Sequence, residues 1–177
     1  GLAAMTVTAD GSVGATDFLA GLYRAGAARA FDAVGFHPYS YPALPDTYGA
    51  QNAWSQLAAT PTSLRGIMAA HNDSAKRIWA TEFGAPTGGP GSQASSAAYN
   101  TSFATDHVTE ALQAALARQA VVRWATYPWA GPLFYTSDQD DGTNPADREN
   151  FFGLTRADGS RKPAYDAFVT AVAITNE

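Results

Sequence analysis

Two spacings of apolar residues alternate along this 177-residue chain. Short apolar runs bounded by turn residues read as buried strands, and apolar positions three and four apart read as helices. Residues 1–7 read as a short apolar strand, with a turn at Asp10-Gly11. A helix follows over 17–28, with Phe18, Leu19, Leu22 and Tyr23 on one face and Thr16 as its N-cap. The run 33–37 is a buried strand. Pro38, Pro42 and Pro45 make the next stretch too proline-rich for helix. The second helix is firmest over 61–71, with Pro61 in its first turn and Leu64, Ile67 and Met68 on a shared face. A strand at 77–82 runs into a loop rich in Gly, Pro and Ser over 84–96. The longest helix spans about 97–125, with Val108, Leu112, Leu116 and Val122 at helical spacing, and Tyr127-Pro128-Trp129 ends it. A last strand at 132–136 precedes an acidic loop over 137–150, and 163–174 closes as a helix with Tyr165, Phe168 and Val169 inward.

This order alternates strand and helix four times, which implies a parallel sheet with right-handed helical crossovers. An eightfold α/β barrel takes about 250 residues, so four β/α units form half of one. At 46% hydrophobic the chain buries one substantial core, and residues 1–177 are expected to be a single domain. A net charge of −5 with 15% charged residues leaves no basic stripe for phosphates, which argues against a nucleic-acid partner. No apolar run is long enough to span a bilayer, so no membrane association is expected. The absence of cysteine excludes disulfides and thiolate metal sites. The chain opens at Gly1 without an initiator methionine or signal peptide, and reads as a mature or truncated product.

Glu82 is the foremost candidate for chemistry. It ends the apolar run Arg77-Ile78-Trp79-Ala80-Thr81, and Phe83-Gly84-Ala85-Pro86 follows at once. A carboxylate among apolar neighbours is costly unless something partners it. The alternative is a strand-end glutamate in an ordinary salt bridge. The strand 33–37 ends in His37-Pro38-Tyr39, so a second strand also delivers polar groups at its C-terminal end, the catalytic face of such barrels. His37 there is either a partner for a neighbouring carboxylate or a satisfied structural histidine. His71 and His107 fall on predicted helices and read as structural or surface residues. Aligning Gly142 with the EF-hand glycine puts Arg148 at position twelve, which fails the calcium pattern, so the acidic loop reads as solvated. No zinc-type histidine pair, phosphate loop or nucleophile elbow is present, and no metal or other cofactor is expected.

Phe31-Asp32-Ala33-Val34-Gly35-Phe36-His37-Pro38-Tyr39, Ile78-Trp79-Ala80-Thr81-Glu82-Phe83-Gly84, Phe152-Gly153-Leu154 and Lys162-Pro163-Ala164-Tyr165 occur in that order. Together they resemble the C-terminal half of clan A glycoside hydrolases, of the cellulase-like and β-xylosidase-like kinds in families 5 and 39. The resemblance covers essentially the whole chain and implies strands five to eight of a (β/α)₈ TIM barrel. It implies a retaining hydrolase acting on O-glycosidic bonds of a polysaccharide or oligosaccharide, with Glu82 as nucleophile. Substrate-binding roles would fall to His37, Tyr39, Tyr135 and Trp129, the last two lining a sugar subsite. The family's acid/base is a glutamate after an asparagine at the end of strand four, which precedes the matching region. Glu110, Glu149 and Glu177 do not sit at the end of a parallel strand, which leaves an Asp of the 138–141 loop as the substitute within this chain. The partners implied are a carbohydrate substrate and either the N-terminal half of the same barrel or a second copy of this chain. Export from a bacterium is expected from the same resemblance. The rival is a half-barrel that binds carbohydrate or assembles without catalysis; sugar binding that survives loss of Glu82, without hydrolysis, would separate the two.

Overall fold

A computed structural model describes residues 1–4, 11–49, 52–98 and 105–175. Strands β1 (Leu2–Ala3), β2 (Ala33–His37), β3 (Arg77–Phe83) and β6 (Ala130–Tyr135) form a four-stranded sheet in the order β1-β2-β3-β6, every pairing parallel. Strands β4 (Ser92–Ala94) and β5 (Thr105–Val108) make a separate parallel pair. The helices are α1 (Ala15–Arg24), α2 (Ala53–Ala58), α3 (Leu64–Ala70), α4 (Glu110–Ala125) and α5 (Pro163–Thr175). This is the expected α/β arrangement of a partial TIM barrel.

Side-chain alternation divides the sheet into two faces. Val34 and Phe36 of β2, with Ile78, Ala80 and Phe83 of β3, are buried in one cluster with Leu19, Trp54, Leu57, Leu64, Met68, Leu112 and Leu116 from the helices. Each large side chain buried this way contributes about 1.5–3 kcal/mol. Trp54 sits at the centre, edge-on to both Phe83 and Trp124. The opposite face carries Trp79 and Phe134, which are 41% and 51% exposed.

Short polar side chains start α2, α3 and α4. Asn52 accepts from the Trp54 N–H at 2.9 Å, Ser63 from Gly66 at 3.2 Å and Thr109 from Leu112 at 3.3 Å. The Thr109 cap marks a departure from the sequence reading. The predicted helix over 97–125 begins only at Glu110; Thr105–Val108 is strand, so Val108 and His107 are strand residues, and 99–104 lie outside the described residues. Helix α1 starts at Ala15 with Gly14, not Thr16, at its N-cap, and it stops at Arg24 because Gly26 takes φ 75°. Of the strand expected over 1–7, Leu2–Ala3 is present as β1, and residues 5–7 lie outside the described residues. On α5, Ala164 and Ala171 face inward, whereas Val169 is 50% exposed. The acidic loop is not wholly solvated: Asp140 is buried and its carboxylate lies 2.6 Å from the buried Lys162 ammonium.

Candidate functional site

Parallel pairing of β2 with β3 places the ends of both strands on one rim of the sheet. His37 is the last residue of β2, and Glu82 is one residue short of the end of β3. A register irregularity aims the carboxylate. Ala80 pairs with Leu133 and Phe83 with Tyr135, three steps on β3 against two on β6. The extra residue lets Ala80 and Phe83 both point into the helix layer, with Thr81 and Glu82 between them free of it.

His37, Tyr39 and Glu82 come together there. The Tyr39 hydroxyl donates to Glu82 Oε2 at 3.1 Å, and His37 Nδ1 lies 3.4 Å from the same oxygen. The His37 and Tyr39 rings meet edge to face at 6.4 Å. Burial pushes the Tyr39 phenol up to about 12; the Glu82 charge adds to this and a hydrogen bond with Thr136 opposes it. Burial likewise holds His37 below the usual histidine value, against the pull of Glu82, while the Gly1 amino group lowers it further. The imidazole is therefore neutral at pH 7. Tyr39 is the stronger donor to a carboxylate that is itself 45% exposed. The arrangement presents one oriented, accessible carboxylate with a phenol and an imidazole on one of its oxygens.

The other two sequence candidates lie elsewhere. Trp129 precedes β6 at the end next to Ile78, to which its carbonyl is bonded at 3.3 Å, so it stands at the opposite rim from Glu82. It stacks on Tyr127 and lies under the Arg65 guanidinium. Tyr135 turns into the helix layer, edge-on to Phe83 and to Phe168 of α5, and burial raises its phenol. The exposed aromatic of β6 is its neighbour Phe134.

Glu110, Glu149 and Asp106 each face a cation. Glu110 opens α4 and takes a two-pronged contact from Arg156, at 2.9 and 2.6 Å. Glu149, on a 3₁₀ turn at Arg148–Phe151, pairs with Arg148 at 3.2 Å and is largely exposed. Asp106 on β5 lies between His107 at 3.2 Å and Arg148 at 3.7 Å. Sequence reasoning missed this Asp106 cluster because β5 was hidden in a predicted helix. Among the described residues no group of three or more His, Asp or Glu side chains is placed to hold a metal ion. Nor, among them, is any helix long and apolar enough to cross a membrane.

Solved structures similar to this chain include glycoside hydrolases. A family 39 glycoside hydrolase from the gut symbiont Bacteroides cellulosilyticus WH2 aligns with 90% of this chain at 28% identity and a TM-score of 0.60. The architecture is that of part of a clan A-like glycoside hydrolase barrel. Two GH5_18 structures share the fold. The one from Streptomyces cattleya, in complex with GlcNAc, covers 82% of the chain at 20% identity with a TM-score of 0.54. The one from Bifidobacterium longum subsp. longum ATCC 55813 covers 82% at 17% identity, with a TM-score of 0.53. The chain spans 31% of the length of each of these three glycoside hydrolases. No family model and no curated protein sequence matches it.

Proposed function

We propose that this chain is the nucleophile-bearing portion of a retaining glycoside hydrolase that cleaves O-glycosidic bonds in an oligosaccharide or polysaccharide. The convergence of His37 and Tyr39 on one oxygen of Glu82, at the C-terminal rim of a parallel sheet, carries the reading. One carboxylate oxygen is held by these groups and the other is left for the anomeric carbon. Glu82 attacks that carbon to give a glycosyl-enzyme, and water then releases the sugar. Tyr39 and His37 fix the attack angle and take part of the charge as the carboxylate is restored.

Retaining chemistry needs a second carboxyl about 5 Å away as acid and then base. We assign that group to a further β/α segment, of the same protein or of a second chain, that covers the face bearing Trp79 and Phe134. Glu82→Gln in the complete protein is expected to abolish nearly all turnover of aryl glycosides while leaving sugar binding in place. Turnover equal to wild type would remove Glu82 from the mechanism.

A further inference from the structure

The largest investment of buried polarity lies outside the Glu82 cluster. Lys162, directly before α5, is 1% exposed. Its ammonium donates to Asp140 Oδ1 at 2.6 Å, Thr87 Oγ1 at 2.8 Å and the Phe151 carbonyl at 3.1 Å, which uses all three of its N–H groups. Asp140 Oδ1 also accepts the Gly153 N–H at 2.8 Å. From α4, the fully buried Gln113 donates to the Ala85 and Gly153 carbonyls at 3.0 and 3.1 Å. Thr87 N–H donates to the Phe151 carbonyl at 3.0 Å, and Ser137 N–H to that of Phe152 at 3.3 Å.

These bonds converge on three consecutive residues. Phe152, in their middle, is held on both sides by its backbone. Its ring stands edge-on to Tyr39 at 6.0 Å and to Tyr41 at 6.3 Å. Tyr39 in turn donates to Glu82. Burying an ammonium costs several kcal/mol, and an apolar side chain of similar volume fills such a space at no charge cost. What an apolar residue lacks is direction.

We infer that Lys162 is a positioning residue for Glu82: through Asp140 and the 151–153 backbone it fixes Phe152 against Tyr39, and so aims the Tyr39 hydroxyl at the carboxylate. The inference rests on Glu82 being the nucleophile, but its decisive readout does not depend on turnover.

The test compares wild type with Lys162→Met and with the double variant Asp140→Leu/Lys162→Met. The double variant removes both charges and leaves no unpaired ion, so it keeps the fold measurable if the single one does not fold. In tyrosine-labelled chain, nuclear Overhauser contacts between the Tyr39 and Phe152 rings are expected to weaken or vanish in both variants. The Trp54 indole signals, a monitor of the core, are expected to hold in the double variant. Undiminished Tyr39–Phe152 contacts in a folded variant would overturn the inference and leave the glycosidase reading untouched. In the complete enzyme the double variant is expected to lower kcat by about 10–100-fold with KM little changed, the pattern of a misaimed rather than an unoccupied site. An unchanged kcat would likewise overturn it. Failure of the glycosidase reading has a different signature, namely turnover that survives Glu82→Gln.

Discussion

Gly84 stands where β3 leaves the sheet, two residues after Glu82, and replacing it with alanine tests how tightly that exit is held. A Cβ on Gly84 would lie within 3.0 Å of the Thr136 carbonyl oxygen and 3.3 Å from Phe152 Cδ1. Thr136 has little room to retreat. Its N–H donates to the Phe83 carbonyl at 2.8 Å, and Ser137 after it is bonded to Phe152 and Leu154. The methyl group therefore has to part the ends of β3 and β6. Losing the Thr136–Phe83 bond costs about 1 kcal/mol net, and strain from overpacking adds about 1–3 kcal/mol. The sum is about 2–4 kcal/mol, equivalent to a Tm loss of about 4–16 °C for a domain of this size. Thermal and urea unfolding followed by circular dichroism measure it. Gly21→Ala is the control: in α1 the added Cβ meets only Arg24 Nη2 at 3.9 Å, and a gain of up to about 1 kcal/mol is expected. A Gly84→Ala protein melting within about 1 °C of wild type would refute the close approach of the two strand ends.

Other perturbations read single contacts. Because His37 is held below its ordinary value in the folded chain, the unfolded chain binds the proton first on acidification. Stability contributed by His37 is complete above about pH 6.5 and is lost as pH falls from there through the folded value; His37→Asn is expected to flatten that part of the stability–pH curve, and an unaltered slope would count against burial of the ring. Thr109→Ala removes the α4 cap and is expected to cost about 1 kcal/mol in urea unfolding. Trp54→Ala empties the centre of the core and is expected to cost about 3–5 kcal/mol; a loss below about 1 kcal/mol would mean the helices do not close over β3 as described.

The two strands that bear the candidate site were legible because both are short continuous apolar runs that end in polar residues. Val34 and Phe36, like Ile78 and Ala80, are buried as such runs require. Legibility failed where information is not local. The sequence Thr105-Asp106-His107-Val108 abuts an alanine-rich helix, whose propensity masked a four-residue strand. The Asp140–Lys162 pair joins residues 22 apart in the chain, and nothing near Asp140 announces a buried cation. Which β6 aromatic faces the helices depends on register shifts against β3, and a one-residue slip exchanges Phe134 for Tyr135. Trp129 is aromatic and close to a strand, but no local signal tells which end of that strand it adjoins; it stands before β6, at the rim opposite Glu82.

Under a retaining mechanism, catalysis and coverage of the sheet become one requirement. Glu82 is approached from β2 by His37 and Tyr39, which occupy one carboxylate oxygen. The helix layer lies behind it, closed by Phe83, Trp54 and Tyr135. Asp106 of β5 and Glu149 are paired with Arg148, and Asp140 with Lys162. Among the described residues, the direction the proposed mechanism leaves for a second carboxyl is across the sheet face where Trp79 and Phe134 stand exposed. Leaving two such aromatics in water forgoes several kcal/mol of burial. Under the proposed mechanism, a segment that recovers that energy by packing on them is the one expected to bring the acid/base. The apolar face therefore bears on where a proton donor stands under that mechanism, as the polar rim at Glu82 bears on the nucleophile.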